Sequence, residues 1–528
     1  MNKTVCHFAC TEIVIGFLFL YFFTAPANAQ IKFQKIYGGP GDEYRGVGRQ
    51  TGDGGYFICG QTNFYGAGIW DVYFVKTDSV GNISWTKTYG SSGSEWANDA
   101  RQTSDGGYII AGTTGSFGVP YGNVYLIKTD SIGNPVWSKT YGGNNDESAF
   151  SVQQTNDNGY VLSGYSYSSG FGNVNFFVIR TDATGDTLWT RSIGGDNDYS
   201  FSIQQTSDGG FVVLGETFLG SAGDKDVYLV KLDSNGNLVW SKNYGSVNYE
   251  RGYSIQQTKD GGYIITGQTQ FGSGDMDVYL IKTNNSGDTM WTRTYGGSGS
   301  EFGLFVQQTN DDGYVIAGST NSFGAGNFDF YLIKTDSVGT YSWSKTFGGA
   351  NDDGAYSVEQ TADNGFVIAG YTSSFTNGYD FYLVKTDANG NSGCNESNPA
   401  TLITMPATQV TIPPTIVLPG TFVTTPTTMV NSGGVATALC PADGINDLSN
   451  NTSVFVFPNP FNDEFTIQIN SAQQFQFTLY NSLGEKLIDK ILTNETTTIN
   501  LVEYTNDIYF YRLVCNNREI KTGTLIKQ

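Results

Sequence analysis

Acidic side chains recur at a fixed place in this 528-residue sequence. Glu43, Glu95, Glu147, Glu250, Glu301 and Asp353 each stand six positions after a residue, mostly aromatic, that precedes glycine; the fourth occurrence has Tyr199 there, with Asp198 just before it. A second set, Asp71, Asn123, Asn175, Asp226, Asp277, Asp329 and Asp380, recurs with them. Carboxylates gathered in this way can hold a hard cation, grip a sugar beside aromatic rings, or hydrolyse a glycosidic bond as an open pair. The alternative use is structural. An acid present in every repeat can accept backbone N–H bonds or pair with a repeated lysine such as Lys76 or Lys87, whereas a binding site usually breaks the repeat. The seven positions are the candidate binding residues, and none is assigned a catalytic role. Acid-rich loops at 196–198 and at Asn351-Asp352-Asp353 would suit Ca2+, without the spacing of an EF-hand; no other cofactor is expected. Tyr65, Phe117, Phe271, Phe323 and Phe375 stand nearby, either to stack on sugars or to tuck under their own loops.

One absence narrows the chemistry. The single histidine, His7, lies in a segment read below as cleaved. The mature chain then lacks Ser-His-Asp and Cys-His catalysis, histidine-ligated zinc and histidine proton shuttles. Carboxylate, tyrosine and lysine chemistry stays open.

A repeat must position these residues. The glycine-preceding residues are Tyr37, Tyr89, Tyr141, Ile193, Tyr244, Tyr295 and Phe347, spaced 51 or 52 apart; four positions before them stand Phe33, Trp85, Trp137, Trp189, Trp240, Trp291 and Trp343. In the first unit strand A is expected near Val47 to Thr51, B over Tyr56 to Thr62, C over Val72 to Thr77 and D over Ile83 to Tyr89. Asp-Gly and Gly-Asn steps make the turns. Four antiparallel strands in about 50 residues is the size of a propeller blade. The array begins one strand out of phase: Lys32 to Tyr37 is a lone D strand, and the seventh unit has no tryptophan strand after its C strand. The expected fold is an all-β, seven-bladed β-propeller closed by the N-terminal strand. Its D–A and B–C connections share one face, so both acid sets ring one mouth.

The flanks define the remaining segments. Lys3, the apolar run Ile13 to Phe23 and Ala27-Asn28-Ala29 read as a signal peptide over 1–29, cleaved after Ala29; no later stretch has the length and apolarity of a membrane span. Residues 30–388 are the propeller. A Thr/Pro-rich insert, 389–452, is expected as a linker or β appendage; Cys394 and Cys440 bracket it, a pair that an exported chain can join in a disulfide. A β-sandwich follows over 453–528. The formal charge of −21 fits solubility outside the cell and argues against a nucleic-acid partner.

The last module resembles the type A C-terminal sorting domain of the type IX secretion system of Bacteroidota. Pro458-Asn459-Pro460-Phe461 opens it, Leu479-Tyr480-Asn481 leads to Gly484-Glu485, and the final strand is basic. It departs at Asn506-Asp507, where the family usually has a glycine. The repeats similarly resemble Tyr-Gly-Gly/Asp-Gly-Gly-Tyr propeller repeats of secreted proteins of that phylum. The resemblance implies an Ig-like sandwich with Pro458, Asn459, Pro460, Phe461 and Gly484 as its sorting motif. It also implies passage through the periplasm, the type IX machinery as partner, and a secreted or outer-surface destination. On this reading the protein is a monomeric, non-catalytic binding or adhesion module for a glycan or a surface protein. The alternatives are a polysaccharide hydrolase or lyase using acids at the propeller mouth, and a structural surface-layer component.

Overall fold

Two tight turns per repeat fold the chain into blades. At the first A–B turn Gly54 has φ +81, and Asn158, Asp312 and Asn364 take that place elsewhere with φ of 64–66; these are the residue types that tolerate the left-handed region. The computed structural model describes residues 30–527 apart from 119–121, 169–172, 196, 222–223, 272–274, 407, 414–415, 420–422, 425–427, 432–434, 441–453, 458–462, 470–473, 482–484, 494–495 and 516–517. The signal-peptide reading and the motif residues Pro458, Asn459, Pro460, Phe461 and Gly484 lie outside the described residues.

Blade 1 is built from strand A (Glu43–Gln50), B (Tyr56–Thr62), C (Asp71–Thr77) and D (Ile83–Gly90). Strand A starts at the acid itself, four residues before the expected place. The same plan repeats through blade 7, whose A, B and C strands are Asp353–Gln360, Phe366–Thr372 and Asp380–Thr386. Its D strand is the N-terminal segment Phe33–Gly38, paired so that Tyr37 faces Phe381. Strands B and C read as near-continuous apolar runs because blades pack on both of their faces.

Each blade is cemented to the next in the same way. Trp85 of strand D packs edge-on against Tyr108 of the following blade at 5.9 Å, and Trp137, Trp189 and Trp343 meet Tyr160, Phe211 and Phe366 alike. Such pairs add roughly 0.5–1.5 kcal/mol beyond burial. Tyr89, Tyr141, Tyr244 and Tyr295 donate their hydroxyls to a glycine carbonyl in the next C–D turn, at 2.6–2.7 Å. The ring closes with the same contacts: Phe33 meets Tyr56 at 5.7 Å, and Tyr37 donates to Gly81 at 2.8 Å. The glutamine ending each A strand accepts an N–H from a neighbouring A–B turn; the last such bond, Ala362 N–H to Gln50 at 2.9 Å, joins blade 7 to blade 1.

The stretch expected as a linker or β appendage runs as a belt around the blades. Glu396–Ser397 pairs with strand D of blade 6, Leu402–Thr404 with blade 5, Gln409–Thr411 with blade 4 and Ile416–Pro419 with blade 3; Val423–Thr424, Met429–Asn431 and Val435–Cys440 follow on blades 2, 1 and 7. Every blade thus gains a fifth strand. The composition explains this. Threonines and valines suit short strands, and Pro406 and Pro413 stop pairing between blades because they donate no N–H. Thr401, Thr408 and Thr428 bond the C-strand hydroxyls of Tyr331, Tyr279 and Tyr125. The outer edges that D strands would expose to other chains are thereby covered. Cys394, just before the belt, is disulfide-bonded; its Sγ lies 3.6 Å from the carbonyl oxygen of Leu439, the residue before Cys440.

The C-terminal module is a sandwich of a three-stranded and a four-stranded sheet. Phe465, Ile467, Phe477, Leu479, Tyr511 and Leu513 fill its core. Lys527 is buried and donates to the carbonyls of Leu501 and Tyr504 at 2.8 and 2.7 Å.

Candidate functional site

The repeated acids sit at the mouth but face inward. Glu43, Glu95, Glu147, Glu250, Glu301 and Asp353 are all buried. Each accepts the backbone N–H four residues before it, as Glu95 does from Ser91 at 2.9 Å and Glu301 from Gly297 at 2.7 Å. Five also accept a hydroxyl from the end of strand B, as Glu43 does from Thr62 at 2.6 Å. They therefore tie the D–A loop to the B–C loop and are not open to a ligand, which is the structural use. In blade 4 this place belongs to Asp198, buried and bonded to Gly195 N–H at 2.7 Å; the D–A loop there is one residue short, so counting from Ile193 lands on Tyr199 instead. Lys76 is likewise paired elsewhere, with Asp53 of its own A–B turn at 2.8 Å.

The two acid sets meet between blades. Burial and a hydrogen bond with Asp380 push the Glu43 carboxyl up to about 8, and burial beside Asp353 pushes Asp329 up to about 7. Each of these two carboxyls holds its proton to a higher pH, because burial beside a second carboxylate makes its ionisation costly.

Tyr199, half-buried, belongs to a different group, an aromatic arc over blades 3 to 5. Its ring lies 5.4 Å from Tyr165, and its hydroxyl is 2.9 Å from that of Tyr167. Tyr167 and Phe218 remain 41% and 42% exposed. Lys225 Nζ sits over both Tyr199 and Phe218, at 5.0 and 5.1 Å. Below them Glu216, buried, is held by Lys225 at 2.7 Å, by Tyr249 at 3.0 Å and by Arg251 through two nitrogens. Across the mouth Tyr44 stacks on Tyr371 at 4.7 Å, and Tyr379 closes on both at 4.9 and 5.4 Å. By contrast Tyr65, Phe117, Phe323 and Phe375 tuck against C-strand tyrosines of their own blades.

Between the arcs, on the propeller axis, lies a cavity of about 260 Å3 lined by the A strands of all seven blades. Its wall combines Phe150, Phe201, Tyr253, Phe305 and Tyr356 with Arg45, Arg49, Arg101 and Arg251. The acid counting did not find this site. The signal was present on the same strands, in a comparison of the repeats down strand A, where Arg49 and Arg101 replace the glutamine of four other blades. Among the described residues no group of three or more His, Cys, Asp or Glu side chains is placed to hold a metal.

These features define a belted seven-bladed propeller followed by a C-terminal β-sandwich module. Residues 455–528 match the family model of the secretion system C-terminal sorting domain. The chain carries that domain and is exported to the cell surface or secreted, with the type IX machinery as its partner in transit. Among curated proteins it is similar to the regulatory protein FlaEY of Caulobacter vibrioides, 24% identical over 160 residues; the match takes in 26% of this chain and 17% of that protein's length. Among solved structures it is similar to PorZ, a surface component of the type IX secretion system of Porphyromonas gingivalis. That likeness has 12% identity and a TM-score of 0.38, covering 92% of this chain and 59% of the other. A fungal alcohol oxidase of the AA5 family, solved with copper, gives 10% identity, a TM-score of 0.38 and coverage of 93% and 99%. At such scores neither structure bears on function.

Proposed function

We propose that the propeller is a non-catalytic module that binds a glycan outside the cell, with the aromatic arcs of its mouth as the contact surface. The observation that carries this reading is the pair of tyrosine-rich arcs, Tyr165–Tyr167–Tyr199 and Tyr44–Tyr371–Tyr379, around an axial cavity. Flat rings held in place by their neighbours offer apolar faces to the C–H side of a sugar, while their hydroxyls offer hydrogen bonds. A glycoside hydrolase of the ordinary kind needs a pair of carboxylates open to substrate. The repeated acids are buried on backbone N–H groups, and Glu216 and Asp99 are each held by arginine.

A glycan array probed with the mature chain, followed by calorimetry on the best hits, tests the reading. Tyr44→Ala and Tyr167→Ala should each weaken binding roughly tenfold, the equivalent of about 1.4 kcal/mol. Full binding by the double variant, or release of reducing ends from a polysaccharide by the wild type, would overturn it. The belt joins this proposal as the frame of the mouth, locked by a Cys394–Cys440 disulfide.

A further inference from the structure

Four of the chain's nine arginines line one cavity. Of the other five, Arg180, Arg191 and Arg293 stand where other repeats have lysine, and two lie in the C-terminal module. The axial arginines therefore follow no repeat rule, and two of them displace one. At the seventh position of strand A, Gln153 accepts the N–H of Gln205 in the next blade at 2.7 Å, and Gln307 that of Gln360 at 2.6 Å. Glu359 does the same for Gln50 at 2.7 Å. Arg49 and Arg101 hold this position in blades 1 and 2, and a guanidinium has no acceptor. Two inter-blade bonds are thus given up for two positive charges.

Those charges are under-compensated. Asp99, the one acid lining the cavity, meets both: Arg49 at 3.2 Å and Arg101 at 3.5 Å. It also accepts the N–H of Val152 at 3.0 Å. Arg101 Nε is buried and reaches Asp99 only at the edge of hydrogen-bond distance, 3.5 Å, and burial and the Arg49 guanidinium lower its pKa. Glu359 of blade 7 keeps its charge while it accepts the Gln50 N–H and offsets part of that effect, so Asp99 and Glu359 are two carboxylates against the three guanidinium groups of Arg45, Arg49 and Arg101. Arg45 has Asn98 as hydrogen-bond partner and the ring of Phe150 at 5.6 Å, and among the described residues no carboxylate. Its backbone is held at φ +73, an uncommon conformation for a side chain of this size. Arg251, by contrast, is neutralised by Glu216.

We infer that the cavity is an anion site, made by Arg45 and Arg101, that selects a carboxylate-bearing sugar of the uronic-acid class. The inference rests on the glycan reading and narrows it. Guanidinium groups match a carboxylate in shape and charge, and the aromatic wall suits a sugar ring. The volume is below the roughly 300–1,000 Å3 of sites for drug-sized ligands, so it takes one terminal residue and not an internal stretch of polymer. The whole sequence carries a formal net charge of −21, so a local positive pocket on the axis distinguishes an acidic sugar by contact, not by long-range attraction.

Calorimetry on the mature full-length chain tests this with trigalacturonic acid and with its methyl ester, which share one sugar backbone and differ in the charge and the added methyl of each carboxyl. The acid should bind at least about tenfold more tightly, with one site per chain, and with an advantage that narrows as salt rises. Arg45→Gln and Arg101→Gln should each cut the acid-to-ester affinity ratio at least about threefold; a thermal melt checks that each variant is folded, and Arg45→Gln serves if Arg101→Gln is not. Equal binding of acid and ester overturns the inference and leaves the glycan reading in place, as does an acid preference that both variants retain. Absence of binding by either trisaccharide, with neutral glycans bound on an array, also overturns the inference alone. Binding of no glycan of any kind overturns both.

Discussion

Glu43 and Asp380 show how one buried proton couples this fold to pH. Glu43 is held up to about 8 in the folded chain, above an ordinary carboxyl at 4.5. A group raised on folding stabilises fully below its unfolded value and loses that contribution as pH rises through the folded one. The melting temperature should therefore fall between about pH 5 and pH 9. Asp329, raised to about 7, acts in the same direction. Glu43→Gln offers Asp380 a permanent donor, but its single carbonyl oxygen keeps only one of the bonds that Glu43 accepts from the Gly39 N–H and the Thr62 hydroxyl. It should be less stable than wild type at pH 5, by roughly 1 kcal/mol for the lost bond, and should overtake wild type by pH 9, where the wild-type carboxyl has lost its proton. Differential scanning calorimetry across that range checks it, and an unchanged pH slope in the variant would count against the buried proton. In the cement between blades, Trp291→Ala removes a ring contact with Tyr314 at 6.0 Å, for an expected loss of roughly 2–4 kcal/mol.

At the scale of elements, strand Phe33–Gly38 has the largest role for its size. All six residues are buried, and it lies between strand C of blade 7 and the last belt strand. Deleting 31–37 would unzip the ring and expose two edges, so the propeller should lose its cooperative melt altogether instead of fraying at one end. This strand was legible in the sequence because its Phe33 and Tyr37 keep the register of the tryptophan strands. The belt was not. Its strands are two to six residues long, too short for alternation to appear, and its period of about seven residues, marked by Thr401 and Thr408 and by Pro406 and Pro413, is small beside the 52-residue repeat. The site divides similarly. The acids announced themselves by recurring, and recurrence is what structural residues do; Arg45 and Arg101 were silent because they occur once or twice. Cys394→Ser tests the belt's lock. Opening a loop of that length should cost roughly 4 kcal/mol in the chain-entropy model, seen as a lower melting temperature and as cleavage by protease within the belt before the blades.

For the whole molecule, the propeller and the C-terminal module have separate cores and separate tasks. The core of Phe465, Phe477 and Leu513 is complete within 455–525, while the propeller's clusters are built from its own blades and belt. Removing 455–528 should leave a folded propeller with an unchanged melting temperature but retain it in the periplasm, as cell fractionation would show. Loss of the propeller fold itself in that truncation would overturn the separation.

The belt also sets how the molecule carries a pulling force. Tension applied from the C-terminal side reaches the propeller at Cys440, on the outermost strand of blade 7. With that cysteine tied to Cys394, the load passes straight into the last blade and shears its strands together, while the belt stays slack around the rim. With the tie reduced, the same tension peels the belt one short strand at a time, from blade 7 through blades 1 to 6, each step resisted by a few hydrogen bonds. Redox state would then decide whether an attached propeller resists flow as a single block or yields by unwinding its own outer hoop.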